Sequence, residues 1–217
     1  MEEMIATIFI IALLVESIVL HEVAHGYVAL LFGDQTAKRQ GRITINPIPH
    51  IDPLWTIVIP IVAYFLSGGT FIIGGAKPVP VNPFNYRRPV MGDICVSLAG
   101  VAANFLIAVI MILLLNIVHF IPGNLAGTTA ANILLQVALL NIVLAMFNLI
   151  PIPPLDGSHL FKYLLSKELR RSYENVGRTG AGFIILILVI NMPGVWNIFS
   201  TVLFGLRNIL LSSLIFF

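Results

Sequence analysis

The sequence has a single cysteine, Cys95, and very little charge: Asp, Glu, Lys and Arg together make up 10% of its 217 residues. One cysteine excludes an internal disulfide and a thiolate cage for a metal. Ordinary soluble domains carry roughly a quarter charged residues, so the small charged fraction excludes a soluble enzyme with a normal surface. Twelve basic against ten acidic residues leave a formal net charge of +2. No basic stretch is interleaved with aromatics, and nucleic acid is not an expected partner. Internal repeats and low-complexity tracts are missing, and nothing marks a second domain.

Hydrocarbon takes their place. Hydrophobic residues make up 58% of the chain and mean hydropathy is +0.98, which reads as an integral, multi-pass membrane protein with the lipid bilayer as its solvent. Apolar segments run over Met4–Phe32, Leu54–Gly75, Ile94–Ile121, Ala130–Ile150, Gly180–Asn191 and Val195–Phe217. The first follows Met1-Glu2-Glu3, with neither the positive start nor the small-residue cleavage site of a signal peptide, and is expected to be retained as a membrane helix. Asp156–Tyr173 carries Lys162, Lys167, Arg170 and Arg171 between apolar residues and reads as an interfacial amphipathic helix.

Charge placement sets the topology. Lys and Arg occur in the connections Gly33–Pro53, Ala76–Asp93 and Pro153–Thr179, and are missing from Pro122–Thr129 and from the turn at Met192-Pro193-Gly194. The positive-inside rule places the first three in the cytoplasm. Two successive cytoplasmic connections cannot flank a full crossing. Leu54–Gly75, interrupted by Pro60, Gly68, Gly69, Gly74 and Gly75, is therefore expected to enter and leave on one side, part helix and part extended. The expected fold is an all-α polytopic bundle of about five full transmembrane helices plus this re-entrant segment with short extended stretches.

Within the first apolar segment stands His21-Glu22-Val23-Ala24-His25. Side chains four apart share one face of a helix, so two neutral imidazoles there can bind one zinc. The carboxylate between them can take a proton from zinc-activated water. Ionisable side chains are costly at membrane depth, which gives this short motif weight. A hydrolytic zinc usually takes three protein ligands and keeps one position open. Asn148-Leu149-Ile150-Pro151-Ile152-Pro153-Pro154-Leu155-Asp156-Gly157 presents Asp156 from a proline-stiffened loop, and Asp156 is the expected third ligand, for one Zn2+ per chain. Asp is also a favoured helix N-cap, a role compatible with ligation.

These motifs, His-Glu-x-x-His at His21–His25 and Asn-x-x-Pro-x-Pro-x-x-Asp-Gly at Asn148–Gly157, resemble the site-2 protease family of membrane-embedded zinc metalloproteases. Gly100 and Asn104 are similar to its central Gly-x-x-x-Asn element, with Val101 where proline is common. Gly41–Pro47 and Ala76–Pro83 look like its compact branch, in which no PDZ domain is inserted. The likeness reaches to about Tyr163. It implies an intramembrane endopeptidase that hydrolyses peptide bonds in or near transmembrane segments of membrane-anchored protein substrates. The cell membrane is its expected location, with the active site toward the cytoplasm. The whole of 1–217 is then one metalloprotease domain, its metal-site core at about 4–163 and its C-terminal helices at about 176–217.

Other polar residues leave alternatives open. Asn104 and Asn148 are by type interhelical hydrogen-bonders, and the resemblance makes them support for the ligands or the substrate carbonyl. His159 either orients a ligand or substrate or is a partly exposed helix histidine. His50 has the look of a local loop contact, while Asp34, Lys38 and Arg39 are expected to be solvated at the membrane edge. Glu16 lies on the helix face opposite His25. A substrate helix must unwind before attack, and Thr70–Ile73 could hold it by strand addition. The rival to an enzyme is a catalytically silent metal-binding membrane protein or a metal transporter using the same cluster.

Overall fold

Among the described residues three helices are long and apolar enough to cross a membrane: α1 (Glu2–Leu31), α4 (Pro89–Phe120, qualifying over Pro89–Val118) and α5 (Thr129–Asn148). At 1.5 Å per residue even the shortest reaches about 30 Å, the thickness of a bilayer's hydrocarbon core. Ile8, Phe9 and Ile11 on α1 and Leu106, Leu113 and Ile117 on α4 are exposed, as suits side chains that face lipid. The computed structural model describes residues 1–66, 68, 74–120, 129–190, 192, 194–195, 197–198, 200–205 and 208. Among these there is no strand. Thr70–Ile73 and the connection at 122–128 lie outside the described residues.

The chain divides into two compact units, Val15–Gly100 and Met1–Leu14 with Val101–Phe217. In the first, α1 ends at Gly33, whose φ of +107° an L side chain rarely adopts. The Gly33 and Asp34 N–H groups donate back to Leu30 O and Ala29 O, a Schellman ending. The short helix α2 (Thr36–Arg39) ends the same way at Gly41, with Arg42 N–H on Ala37 O. Each ending delivers a charged residue, Asp34 or Arg42, into the interior.

Asp34 corrects the sequence expectation. It is fully buried, and its carboxylate accepts from Thr36 N–H and Oγ1, Asn82 N–H and Asn85 Nδ2. Burial alone would push its carboxyl up. The hydrogen bonds from Asn85 and Thr36 and from the two backbone amides outweigh that and hold it below the ordinary value of 3.8. His50 behaves as expected: it is buried, with Nε2 3.0 Å from Thr44 O.

The apolar segment after Pro53 does not run straight. A π-helical turn over Pro53–Val58 is capped by Asp52, whose Oδ1 accepts from Leu54 and Trp55 N–H, and leads into α3 (Ile59–Leu66). These fourteen helical residues extend only about 21 Å. The chain then comes back to its starting point: Gly75 N–H donates to Trp55 O at 3.1 Å, and Thr56 Oγ1 donates to Gly75 O at 2.7 Å. A Cβ on Gly74 would overlap the Pro60 ring. Both ends of the excursion are thus tied together, as a re-entrant segment requires.

In the other unit α5 leads into the proline loop. Gly157 packs on the Leu149 carbonyl and Gly182 on the Pro153 carbonyl so closely that a Cβ at either would overlap the oxygen. The expected helix Asp156–Tyr173 is broken into α6 (Asp156–Phe161), a 3-10 turn over Lys162–Leu164, and α7 (Lys167–Arg178). The break falls where Ser166 caps α7, a local hydroxyl-to-amide preference that hydropathy does not register. A ten-residue apolar helix, α8 (Ala181–Ile190), follows.

Candidate metal centre

On α1, His21 and His25 are one turn apart and both buried. Their Nε2 atoms stand 3.0 Å from each other with the rings edge to face. Two ligands of a tetrahedral zinc, each roughly 2.0–2.1 Å from the ion, would be about 3.3 Å apart, so the pair fits one metal with little movement. His25 Nδ1 lies 2.6 Å from the Val96 carbonyl. A carbonyl only accepts, so Nδ1 carries the proton and Nε2 of the neutral ring keeps its lone pair for a metal.

Gly100, one turn beyond Val96 on α4, is pressed against both rings: a Cβ there would come within 2.5 Å of His21 Cε1 and His25 Nε2. Only glycine leaves the imidazoles room at this crossing. This is the physical content of the glycine in the Gly-x-x-x-Asn element.

Glu22 is half-buried and occupies the adjoining face of α1. Its Oε2 accepts from the Val79 N–H at 2.7 Å. A Cβ on Gly26, one turn further, would come within 2.7 Å of Val79 Cγ1. The segment around Val79 therefore packs against this face of α1 and fixes one carboxylate oxygen. Sequence reasoning missed Val79 and Val96, because they act through backbone atoms. Glu16 is also half-buried, on its own face of the helix.

The remaining predicted residues belong to the other unit. Asp156 is the first residue of α6; the N-cap position is Leu155, and no side chain caps that end. Asp156 thus sits one position inside the helix rather than at its N-cap. Asn104 is buried on α4. Asn148 turns its Nδ2 back to Leu144 O at 2.9 Å, a bond within its own helix. Buried Asn141, not singled out from sequence, makes the same bond to Val137 O. His159 is exposed, its Nδ1 3.4 Å from Lys162 Nζ. Tyr173 OH donates to the Pro151 carbonyl at 3.0 Å, bracing the loop that ends in Asp156. Burial pushes the Tyr173 phenol up despite the opposing effect of Ser158, so it remains a donor at working pH.

Comparison with known proteins gives the same picture. The family model described as Peptidase family M50 matches residues 8–122 and 114–190. Several relatives carry the name "Putative zinc metalloprotease", two of them as follows. YwhC of Bacillus subtilis (strain 168) is 37% identical over 188 residues, 85% of this chain and 81% of that one. Rip2 of Mycolicibacterium smegmatis is 29% identical, covering 84% of this chain and 67% of its own length. Zinc metalloprotease MJ0392 of Methanocaldococcus jannaschii is 27% identical over 86% of this chain and 44% of its own. No solved structure matches.

Proposed function

This chain belongs to peptidase family M50 and is a zinc metalloprotease; from that premise we propose that it cuts peptide bonds in or beside the transmembrane segments of membrane-anchored proteins. The observation that carries the reading is the His21–His25 pair, 3.0 Å apart on a helix long and apolar enough to span a bilayer. A peptidase site carried on such a helix meets substrates that share the membrane. Asn104, Asn148 and His159 remain candidates for supporting the ligands or holding substrate.

His21 and His25 supply two ligands, and Asp156 is proposed as the third. A zinc ion held there supplies Lewis acidity and makes water a usable nucleophile near neutral pH. Glu22 does the proton work. With Oε2 held by Val79, its Oε1 takes the proton from the attacking water and returns it to the departing amine. The basic residues of the connections beside the site (Lys38, Arg39, Lys77, Arg87, Arg88) support a cytoplasmic-facing site in the cell membrane.

The test combines zinc analysis of detergent-purified protein with cleavage of model substrates that carry a transmembrane helix. Wild type is expected to hold about one zinc per chain. Asp156→Ala should lose most of it, whereas Glu22→Gln should keep the zinc and lose turnover. Full zinc retention by Asp156→Ala would remove Asp156 from the ligand set. Cleavage of soluble peptides in preference to membrane-anchored ones would overturn the substrate assignment.

A further inference from the structure

Arg42, in a connection expected to face the cytoplasm, is a guanidinium taken out of water. It is buried in a membrane protein, yet no carboxylate pairs with it among the described residues. Its Nη2 donates instead to two successive backbone carbonyls, Lys77 O at 2.7 Å and Pro78 O at 3.3 Å. Its buried Nε has no hydrogen-bond partner. Such burial is costly, and the two carbonyl bonds offset it only in part.

What it holds is the segment Lys77-Pro78-Val79-Pro80-Val81. Prolines at alternate positions fix φ and remove their own N–H groups, leaving the donors of Lys77, Val79 and Val81. Two of these are committed inward: Lys77 N–H donates to His50 O at 2.8 Å, and Val79 N–H to Glu22 Oε2 at 2.7 Å. Arg42 and His50 thus grip this strap immediately before the residue that touches Glu22.

We infer that Arg42 is a positioning residue for the reaction: it fixes the strap so that the Val79 N–H holds Glu22 in its proton-accepting pose. The inference rests on the assignment of Glu22 as the base. Both bonds leave one nitrogen, Nη2, whose N–H groups are held in the guanidinium plane, so the grip is directional where an ammonium would sit as a point charge. The two prolines make the strap stiff enough for a pull at Lys77 and Pro78 to be felt at Val79. Gly26 lets the strap approach α1 closely enough for the bond to form.

The experiment uses the full chain in detergent with three variants: Arg42→Ala, Arg42→Lys and Val79→Pro. Val79 precedes Pro80, a position biased toward the extended region that proline accepts; Val79→Pro removes the donor and sets the ring Cδ where the N–H met Glu22 Oε2. Each variant is read for kcat and KM on a membrane-anchored model substrate, for zinc content, and for hydrogen exchange of the peptide 77–82. In that peptide only Lys77, Val79, Val81 and Asn82 carry amides.

Arg42→Ala and Val79→Pro are expected to lower kcat by about 10- to 100-fold with KM and zinc content little changed. Arg42→Lys should recover part of the loss. Exchange at Val79 in Arg42→Ala should quicken by at least about tenfold. Wild-type kcat in Val79→Pro, or unchanged Val79 exchange in Arg42→Ala, overturns the inference. Should Arg42→Ala fail to fold, Val79→Pro and Arg42→Lys decide it. If Glu22→Gln is as active as wild type, the base assignment has failed, and the exchange measurement still reports whether Arg42 holds Val79.

Discussion

Gly100 lies so close to His25 that a methyl group on its α-carbon would come within 2.5 Å of Nε2, the nitrogen that would bind a metal. The space that lets the ring bind an ion is created by a missing side chain on a different helix. Gly100→Ala is therefore expected to push one or both imidazoles out of place. Zinc per chain should fall well below that of wild type, with activity down by about a hundredfold or more. Because α4 is an apolar helix held by its own backbone bonds, its helical circular dichroism should survive. Metal analysis alongside circular dichroism checks both.

The Asp34 knot gives a pH dependence. The carboxyl is depressed below 3.8 in the folded protein, so its contribution is complete above that value and is lost as pH falls through the lower folded value. Asp34→Asn removes the charge and turns an amide NH2 or a weaker acceptor toward four donors, costing about 2–3 kcal/mol. Melting of wild type and variant in detergent should differ most near neutral pH. The gap should narrow only below the ordinary carboxylate range.

Thr56 closes the re-entrant excursion. Its Oγ1 accepts from Asp52 N–H at 3.0 Å while donating to Gly75 O. Thr56→Val keeps the shape and removes both bonds, at about 1–2 kcal/mol. Exchange of the Gly75 amide should quicken, and zinc content should stay at the wild-type level. Equal exchange in the two proteins would mean that the excursion is held shut elsewhere.

Tyr173→Phe loses only the hydroxyl that braces Pro151. The net cost to stability is about 1 kcal/mol. With Asp156 as third ligand, the variant should also release zinc to a chelator several times faster than wild type; an unchanged release rate would detach this brace from the metal.

What could be read from the sequence was what is local. A pair of histidines four apart declares its geometry without reference to the rest of the chain. Apolar length placed α1 and α5 within about two residues. Longer-range partners were hidden for specific reasons. Val79 and Val96 meet Glu22 and His25 across 57 and 71 residues through a backbone N–H and a carbonyl, groups that every position other than proline shares. Asp34 looked like a membrane-edge charge because its partners, Asn82 and Asn85, are distant in the chain. Hydropathy started α4 at Ile94, while the helix starts at Pro89, the first-turn position that proline favours, ahead of polar Asp93. The strand-like stretch expected at Thr70–Ile73 lies outside the described residues.

The tie between Trp55, Thr56 and Gly75 also bears on how this architecture tolerates insertions and deletions. Once both ends of a loop are clamped side by side, doubling its length costs only about 0.6 kcal/mol in closure entropy. Residues between the clamps can be added, removed or exchanged while the scaffold around His21 and His25 experiences the same two anchor points. In that sense closure entropy alone constrains the length of the excursion only weakly.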